Sequence, residues 1–340
     1  MANKLLGPIL AMLLAAPALA DEIALNPRHP ERYVVVAGDT LWDISERFLR
    51  DPWLWPEVWQ INPQIANPHL IYPGDVISLV YVDGKPQLRL ERGGRPSIKL
   101  SPTAREERID RAIPSIPLDA VKQFLTQPLV VENGELDSAP YVVESADEHL
   151  IVGAGDRIYV RGITDTSHGR YGVYRPGDKL IDPDTQEVLG VQAVYQGDAT
   201  VQRFGDPATL YLERTTREIG IGDRLKPAAA DDIHTSFLPH APASDLKGRI
   251  IAVHDGVSQV GRYQIVIINR GAREGMEVGH VLRIQQAGRV VKDTVAKDTV
   301  TLPDEDAGLL MLFRIFDKVS YGLVMESTRP IHVLDYVKTP

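Results

Sequence analysis

The chain holds nine histidines and 46 acidic residues but no cysteine, so chemistry that needs a thiolate nucleophile is excluded. Thr166-Ser167-His168-Gly169-Arg170 comes close to a Ser-His-Gly-Cys acyl-transfer signature, with Arg170 where the nucleophile would stand. A guanidinium cannot attack a carbonyl, so this run reads as a turn. Hydrolytic zinc needs histidines and carboxylates at tight spacing. The histidines at 29, 69, 149, 168, 234, 240, 254, 280 and 332 are scattered instead, with no His-x-His or His-Glu-x-x-His. Asp231-Asp232-Ile233-His234 lies in a proline- and alanine-rich gap and reads as solvated linker, while Asp304-Glu305-Asp306 reads as a loop tip. No helical domain is expected that could frame a catalytic carboxylate pair. Gly220-Ile221-Gly222 is too short for a phosphate loop. The expectation is a protein that is not an enzyme, with no metal and no cofactor.

The residues suited to binding are concentrated near the N-terminus. Tyr33-Val34-Val35-Val36 reads as a strand that breaks at Gly38-Asp39. Thr40 and Asp43 have capping-box spacing, with Asp in place of the usual Glu. Leu41, Ile44, Phe48 and Leu49 then fall on one helical face. Pro56 suits the first turn of a second helix ending near Asn62, and Pro73-Gly74 turns into the alternating strand 76–79. The order is β-α-α-β in about fifty residues. It resembles the LysM module.

That resemblance implies binding of N-acetylglucosamine (GlcNAc)-containing glycans, in bacteria mostly peptidoglycan, in a shallow groove. Position by position, one wall is Gly38, Asp39, Thr40 and Leu41, the other is Ile71, Tyr72, Pro73 and Gly74, and the pattern also takes in Asn62 and Pro63. The chemistry agrees: a neutral acetamido sugar needs backbone donors and acceptors plus flat apolar surface, and glycine permits close backbone approach. The stretch Asp51-Pro52-Trp53-Leu54-Trp55-Pro56-Glu57-Val58-Trp59 is longer and more aromatic than the usual module. All four tryptophans lie between 42 and 59. A module this small needs large aromatics for its core, which suits Trp42 and Trp59. Trp53 and Trp55, at a loop-to-helix junction between prolines, read equally as core or as sugar-stacking surfaces.

Residues 1–20 carry one charge, Lys4, an apolar stretch and Ala18-Leu19-Ala20, the pattern of a secretory signal peptide. Without cysteine there is no lipobox and no disulfide, and no later segment is apolar enough to span a bilayer. A periplasmic product, peripheral to the outer membrane and cell wall, with no membrane anchor of its own is expected. Net charge is −9. No basic face is available for nucleic acid.

The expected layout is a signal peptide (1–20), an N-terminal arm (21–32), the LysM module (33–82), a linker (83–139), one β subdomain (140–228), a second linker (229–246) and a second β subdomain (247–340). Asp83-Gly84-Lys85-Pro86 reads as the end of the module. From 141 onward, short strands alternate with glycine turns, an all-β pattern. Strands are expected at 141–144, 150–152, 157–161, 171–174, 188–195, 209–213, 249–254, 263–269, 281–285, 309–316, 321–327 and 332–338. The fold class is α+β, multidomain: a small LysM module, then two small β-barrel or β-clip-like units. Four runs echo one another, at 153–158, 176–180, 220–225 and 274–282: a glycine turn, a polar residue, then an apolar strand start. Glycine supplies positive φ there, and Asp can bond the turn backbone. The echo reads as a diverged duplication.

The aromatic insert, the run from Asn62 to Asp75 and the layout of signal, LysM and cysteine-free β half resemble the TsaP family of type IV pilus secretin-associated proteins. That resemblance implies a tether between peptidoglycan and an outer-membrane secretin, with a linker setting the effective concentration of the two sites. Two alternatives remain open from the sequence: a general cell-wall-binding envelope protein with no secretin partner, and a LysM-targeted hydrolase of unrecognised type.

Overall fold

Thr40 starts the first helix as its spacing to Asp43 requires. In the computed structural model, which describes residues 23–59, 71–91, 112–125, 130–146, 152–228, 237–253 and 260–340, both arms of the capping box are present. Strand β1 (Arg32–Val34) leads to α1 (Leu41–Phe48), a single 3-10 turn (Pro52–Leu54), α2 (Trp55–Trp59) and strand β2 (Val76–Val82). The apolar face read from the sequence, Leu41, Ile44, Phe48 and Leu49, packs with Val35, Trp55, Val58, Trp59, Ile71 and Ile77 as the module's core.

The sheet does not end where Asp83-Gly84 was read as the module's end. Asp83 and Gly84 both take positive φ, 49° and 77°, the signature of a two-residue type I′ hairpin. β3 (Lys85–Glu91) returns along β2, from Val82↔Lys85 to Val76↔Glu91. Pro86 is tolerated because β3 is an edge strand. Residues 112–117 and helix α3 (Leu118–Leu125), inside the span expected as linker, pack against the module and the β region.

The rest is mainly β. Strands β4 (Val130–Val131), β5 (Tyr141–Ser145), β6 (Arg157–Arg161), β7 (Arg170–Ile181), β8 (Val188–Arg203), β9 (Ala208–Thr215) and β10 (Arg224–Pro227) form a sheet of order β4-β8-β7-β10-β5-β6-β9. Because β9 also pairs with β8, every strand but β4 belongs to a closed ring. Next come β11 (Lys247–Val253), β12 (Ile265–Ile268), β13 (Val281–Gln286), the separate hairpin of β14 (Val290–Lys292) and β15 (Thr299–Thr301), then β16 (Glu305–Ile315), β17 (Ser320–Ser327) and β18 (Tyr336–Lys338). All but the hairpin close into a barrel, β11-β12-β17-β16-β13-β18.

Followed from β5, the first ring reads β5-β6-β9-β8-β7-β10, the same connectivity as the second with β14 and β15 set aside. The opening strand of each carries a bulge, between Val142 and Glu144 and between Ile250 and Ala252. One strand order used twice is the structural counterpart of the echo in the sequence.

One echo is not a turn. Pro176-Gly177-Asp178 lies inside β7, where the register shifts between Pro176 and Lys179. The long ladder to β8 absorbs the local turn signal as a bulge. Where an expected strand began at 332, residues 332–335 form a turn and β18 starts at Tyr336. Of the strand expected at 150–152, only Val152 lies among the described residues, and it bridges Ile219.

β12 reads Ile-Val-Ile-Ile and is buried at all four positions. Val266 and Ile268 join Leu282, Ile284, Leu310, Leu312 and Val324 in one core, while Ile265 and Ile267 join Met311, Phe313, Tyr321 and Leu323 in another. Strands buried on both faces lose the alternation of a half-exposed sheet. The second core includes Trp42 of α1, Ile116, Val121 and Phe124 near and on α3, Phe237, and Leu180 and Leu189 of the first ring. The module and both rings thus share one hydrophobic joint instead of hanging from open linkers.

Candidate functional site

Two turns of identical form carry the residues expected to line the groove. In residues 36–39 and 72–75 the fourth N–H donates to the first carbonyl (3.2 and 3.0 Å). Gly38 and Gly74, in third position, take φ of 97° and 93°. This is type II geometry, in which a side chain at that position is strained. The fourth residue is aspartate, and its Oδ2 accepts the first residue's N–H: Val36 N–H to Asp39 at 2.9 Å and Tyr72 N–H to Asp75 at 3.0 Å. Asp39 also accepts the Tyr33 hydroxyl at 2.9 Å; burial, then the Asp39 contact, raises the Tyr33 pKa. Val35 locks the walls together: its N–H donates to Asp75 O and its carbonyl accepts from Gly74 N–H, both at 2.8 Å.

The same device recurs beyond the module. Gly153 N–H donates to Asp156 (2.8 Å), Gly220 N–H to Asp223 (2.9 Å), His332 N–H to Asp335 (2.8 Å) and Gly261 N–H to Gln264 (2.7 Å). Each precedes a strand start, so these turns serve the fold rather than a ligand.

Of the residues expected to line the groove, Gly38 and Gly74 are exposed, and Tyr72 and Pro73 are half-buried. Thr40 is buried, its hydroxyl engaged with Asp43 (2.6 Å). Leu41 and Ile71 are fully buried, so they offer backbone rather than side chain. That backbone is already engaged: Leu41 N–H donates to Pro114 O (2.9 Å), Trp42 N–H to Ser115 O (3.2 Å), and Ile113 N–H to Ile71 O (2.8 Å). Leu41 and Trp42 are the first two residues of α1, whose amides have no partner inside the helix. Asn62 and Pro63 lie outside the described residues.

The structure corrects the sugar-stacking reading of Trp55 and leaves part of Trp53 exposed. Trp55 is fully buried in the module core, with no ring face open, and Trp53 is partly buried against the joint. Trp42 is buried, but in the joint rather than the module's own core. Nothing local distinguishes these roles, because Trp42 clusters with Ile116, α3 and barrel strands that follow it by seventy to more than two hundred residues. Arg262 Nη2 bonds Asp43 Oδ1 and Glu46 Oε2, both at 2.9 Å, and Tyr263 OH bonds Asp43 Oδ1 at 2.9 Å. Burial, then the bond to Asp43, pushes the Tyr263 phenol up to about 12.

Two constellations for other chemistry come together. Ser167 Oγ and Asp165 Oδ2 lie 3.0 and 2.9 Å from His168, but both meet the same ring nitrogen, Nδ1. A hydrolytic triad needs the carboxylate on one nitrogen and the hydroxyl on the other. All three residues are exposed, and Asp165 also accepts Ser167 N–H at 2.8 Å, a turn contact. His240, Glu277 and His280 bring ligand-type atoms within 4.8 Å of one another, a convergence hidden by their sequence separation. His280 Nδ1 accepts Glu277 N–H at 3.1 Å, so its neutral form carries the proton on Nε2. Either nitrogen would have to give up its present role before binding an ion.

Residues 33–80 match the LysM domain family. A LysM domain implies binding of GlcNAc-containing peptidoglycan. The chain is also 33% identical over 60 residues to "Uncharacterized protein YqbP" of Bacillus subtilis (strain 168), an alignment covering 15% of this chain and 27% of that protein. The similarity therefore spans about a quarter of the relative's length. Among the described residues no helix is long and apolar enough to cross a membrane.

Proposed function

We propose that this chain is a non-enzymatic, periplasmic peptidoglycan-binding tether that secures an outer-membrane secretin of the type IV pilus kind to the cell wall. The observation that carries the wall-binding half is the match of residues 33–80 to the LysM family, in which the turns 36–39 and 72–75 are joined through Val35. Gly38, Asp39, Thr40 and Leu41 form one wall and Ile71, Tyr72, Pro73 and Gly74 the other. Co-sedimentation of the full chain with purified sacculi tests it. Pelleting that soluble GlcNAc oligomers compete, and that Tyr72→Ala weakens, supports the reading. Pelleting indifferent to both refutes it.

The secretin half rests on the TsaP-like N-terminal motifs and on exposed surface in the β region. Closed rings leave few strand edges for augmentation by another chain. Among the described residues the β14–β15 hairpin pairs only with itself, and it exposes Val290, Val295 and Val300 at 67, 90 and 46%. This arm is the proposed partner contact. Val295→Asp in the full chain should leave thermal stability unchanged and abolish co-purification with the secretin. Undiminished co-purification excludes the arm, and no co-purification by the wild-type chain removes the secretin.

A further inference from the structure

The groove is not open, and what fills it belongs to the chain itself. Residues 112–117 run between the two walls. Ile113 and Ser115 are 5 and 2% exposed and Ile116 is fully buried. The chemistry of the contact is specific. Two peptide carbonyls, of Pro114 and Ser115, accept the free amides of Leu41 and Trp42 on one wall. One peptide N–H, of Ile113, donates to the Ile71 carbonyl on the other. An acetamido group presents the same pair, a carbonyl acceptor and an N–H donor. A peptide strap and an N-acetylated sugar therefore compete for the same backbone groups.

We propose that residues 112–117 are an intramolecular strap that holds the LysM groove closed, and that a GlcNAc-containing glycan binds by displacing it. This rests on the reading of the groove as the glycan site. The strap is anchored at both ends. Ile113 packs in the module core, whereas Ile116 sits in the joint with Trp42, Val121, Phe124 and the outer face of the barrel. Phe237 N–H meets Ser115 Oγ at 3.4 Å from the far side. Closure is therefore coupled to docking of the module on the β region, and whatever loosens the joint opens the groove. Proline at 114 and 117 removes two backbone donors from the strap, so it holds the walls by few hydrogen bonds and can leave without breaking a ladder. A ligand that must wait for a minor open state binds with an affinity reduced by that state's population.

The test uses the full chain, with Ile116→Asp and the milder Ile113→Ala, and a soluble GlcNAc hexamer as probe. Binding is measured by calorimetry, and amide hydrogen exchange of Ile113 reports the strap. The expected result is binding by the strap variants at least about tenfold tighter than wild type, and loss of Ile113 protection when wild type is saturated with hexamer. Equal affinities with Ile113 still protected in the saturated complex overturn the strap. Exposure of the Ile113 amide in Ile116→Asp, with no hexamer binding by any form, instead overturns the glycan reading and the gate that rests on it. If both variants unfold by circular dichroism, the wild-type exchange titration decides alone: protection kept at saturation refutes displacement.

Discussion

Trp42→Ala separates the joint from the module. Trp42 lies on α1 at 1% exposure, but its neighbours are Ile116, α3 and the outer face of the barrel rather than the module core of Leu41, Ile44, Phe48 and Trp55. Truncating a fully buried tryptophan costs about 3–5 kcal/mol in lost transfer energy and residual cavity. Most of that cost should fall on docking, because Ala keeps the helix and leaves the module's own core intact. At about 1.4 kcal/mol per factor of ten, the docked-to-undocked ratio should drop by roughly 10²–10³. Amide exchange would show Ile113 losing protection while Ile44 and Phe48 keep theirs. Trp53, half-buried against the same joint, should shift its emission to the red. Equal loss of protection at Ile44 and Phe48, in a single unfolding transition, would refute the reasoning and return Trp42 to the module core.

Three further outcomes follow from contacts elsewhere. Asp223 accepts Gly220 N–H at 2.9 Å and a two-pronged contact from Arg175 at 2.8 Å. Asp223→Ala should lower urea stability by about 2–3 kcal/mol, with part of the ion pair discounted because Arg175 is half-exposed. Gly279 has φ of 98°, and a Cβ there would collide with the Leu238 carbonyl; Gly279→Ala should cost about 2–4 kcal/mol by thermal melting, from backbone strain plus overpacking. Glu187 lies between Arg273 and Lys318, whose hydrogen bonds hold its carboxyl at about 2, below the ordinary 4.5. A depressed carboxyl stabilises the fold above its unfolded value and loses that contribution as pH falls toward 2. The difference in melting temperature between wild type and Glu187→Gln should therefore be present at pH 6 and vanish near pH 2. A difference that persists at pH 2 would mean that the charge is not the source.

The binding module was legible because its signals are local. Thr40 and Asp43 form a cap from four consecutive residues, Gly38 and Gly74 supply the positive φ that their turns need, and Leu41, Ile44 and Phe48 mark one face of one helix. Three of the four repeated glycine turns likewise lead into strand starts, at Arg157, Arg224 and Val281, since turn chemistry is local. Where a signal was local but misread, as at Asp83-Gly84, the hairpin chemistry was already present in the sequence.

Tertiary structure decided everything that depends on pairing distant surfaces. Pro176-Gly177-Asp178 has turn chemistry, yet the ladder to β8 outweighs it and leaves a bulge. Trp42, Trp53 and Trp55 share one composition-rich stretch, and only the distant partner surface determines which of them faces the barrel. His240 and His280 meet because a parallel bridge brings their backbones together. The closing of the groove is of the same kind. Its donors are set by the start of α1, but their partners, Pro114 and Ser115, come from a proline-punctuated stretch without periodicity. A hydrogen bond between segments seventy residues apart leaves no pattern in either. The sequence by itself determined the site's backbone and the turns that build it, because those energies are local; only the folded chain determined what occupies it, because that energy is shared between elements the chain brings together last.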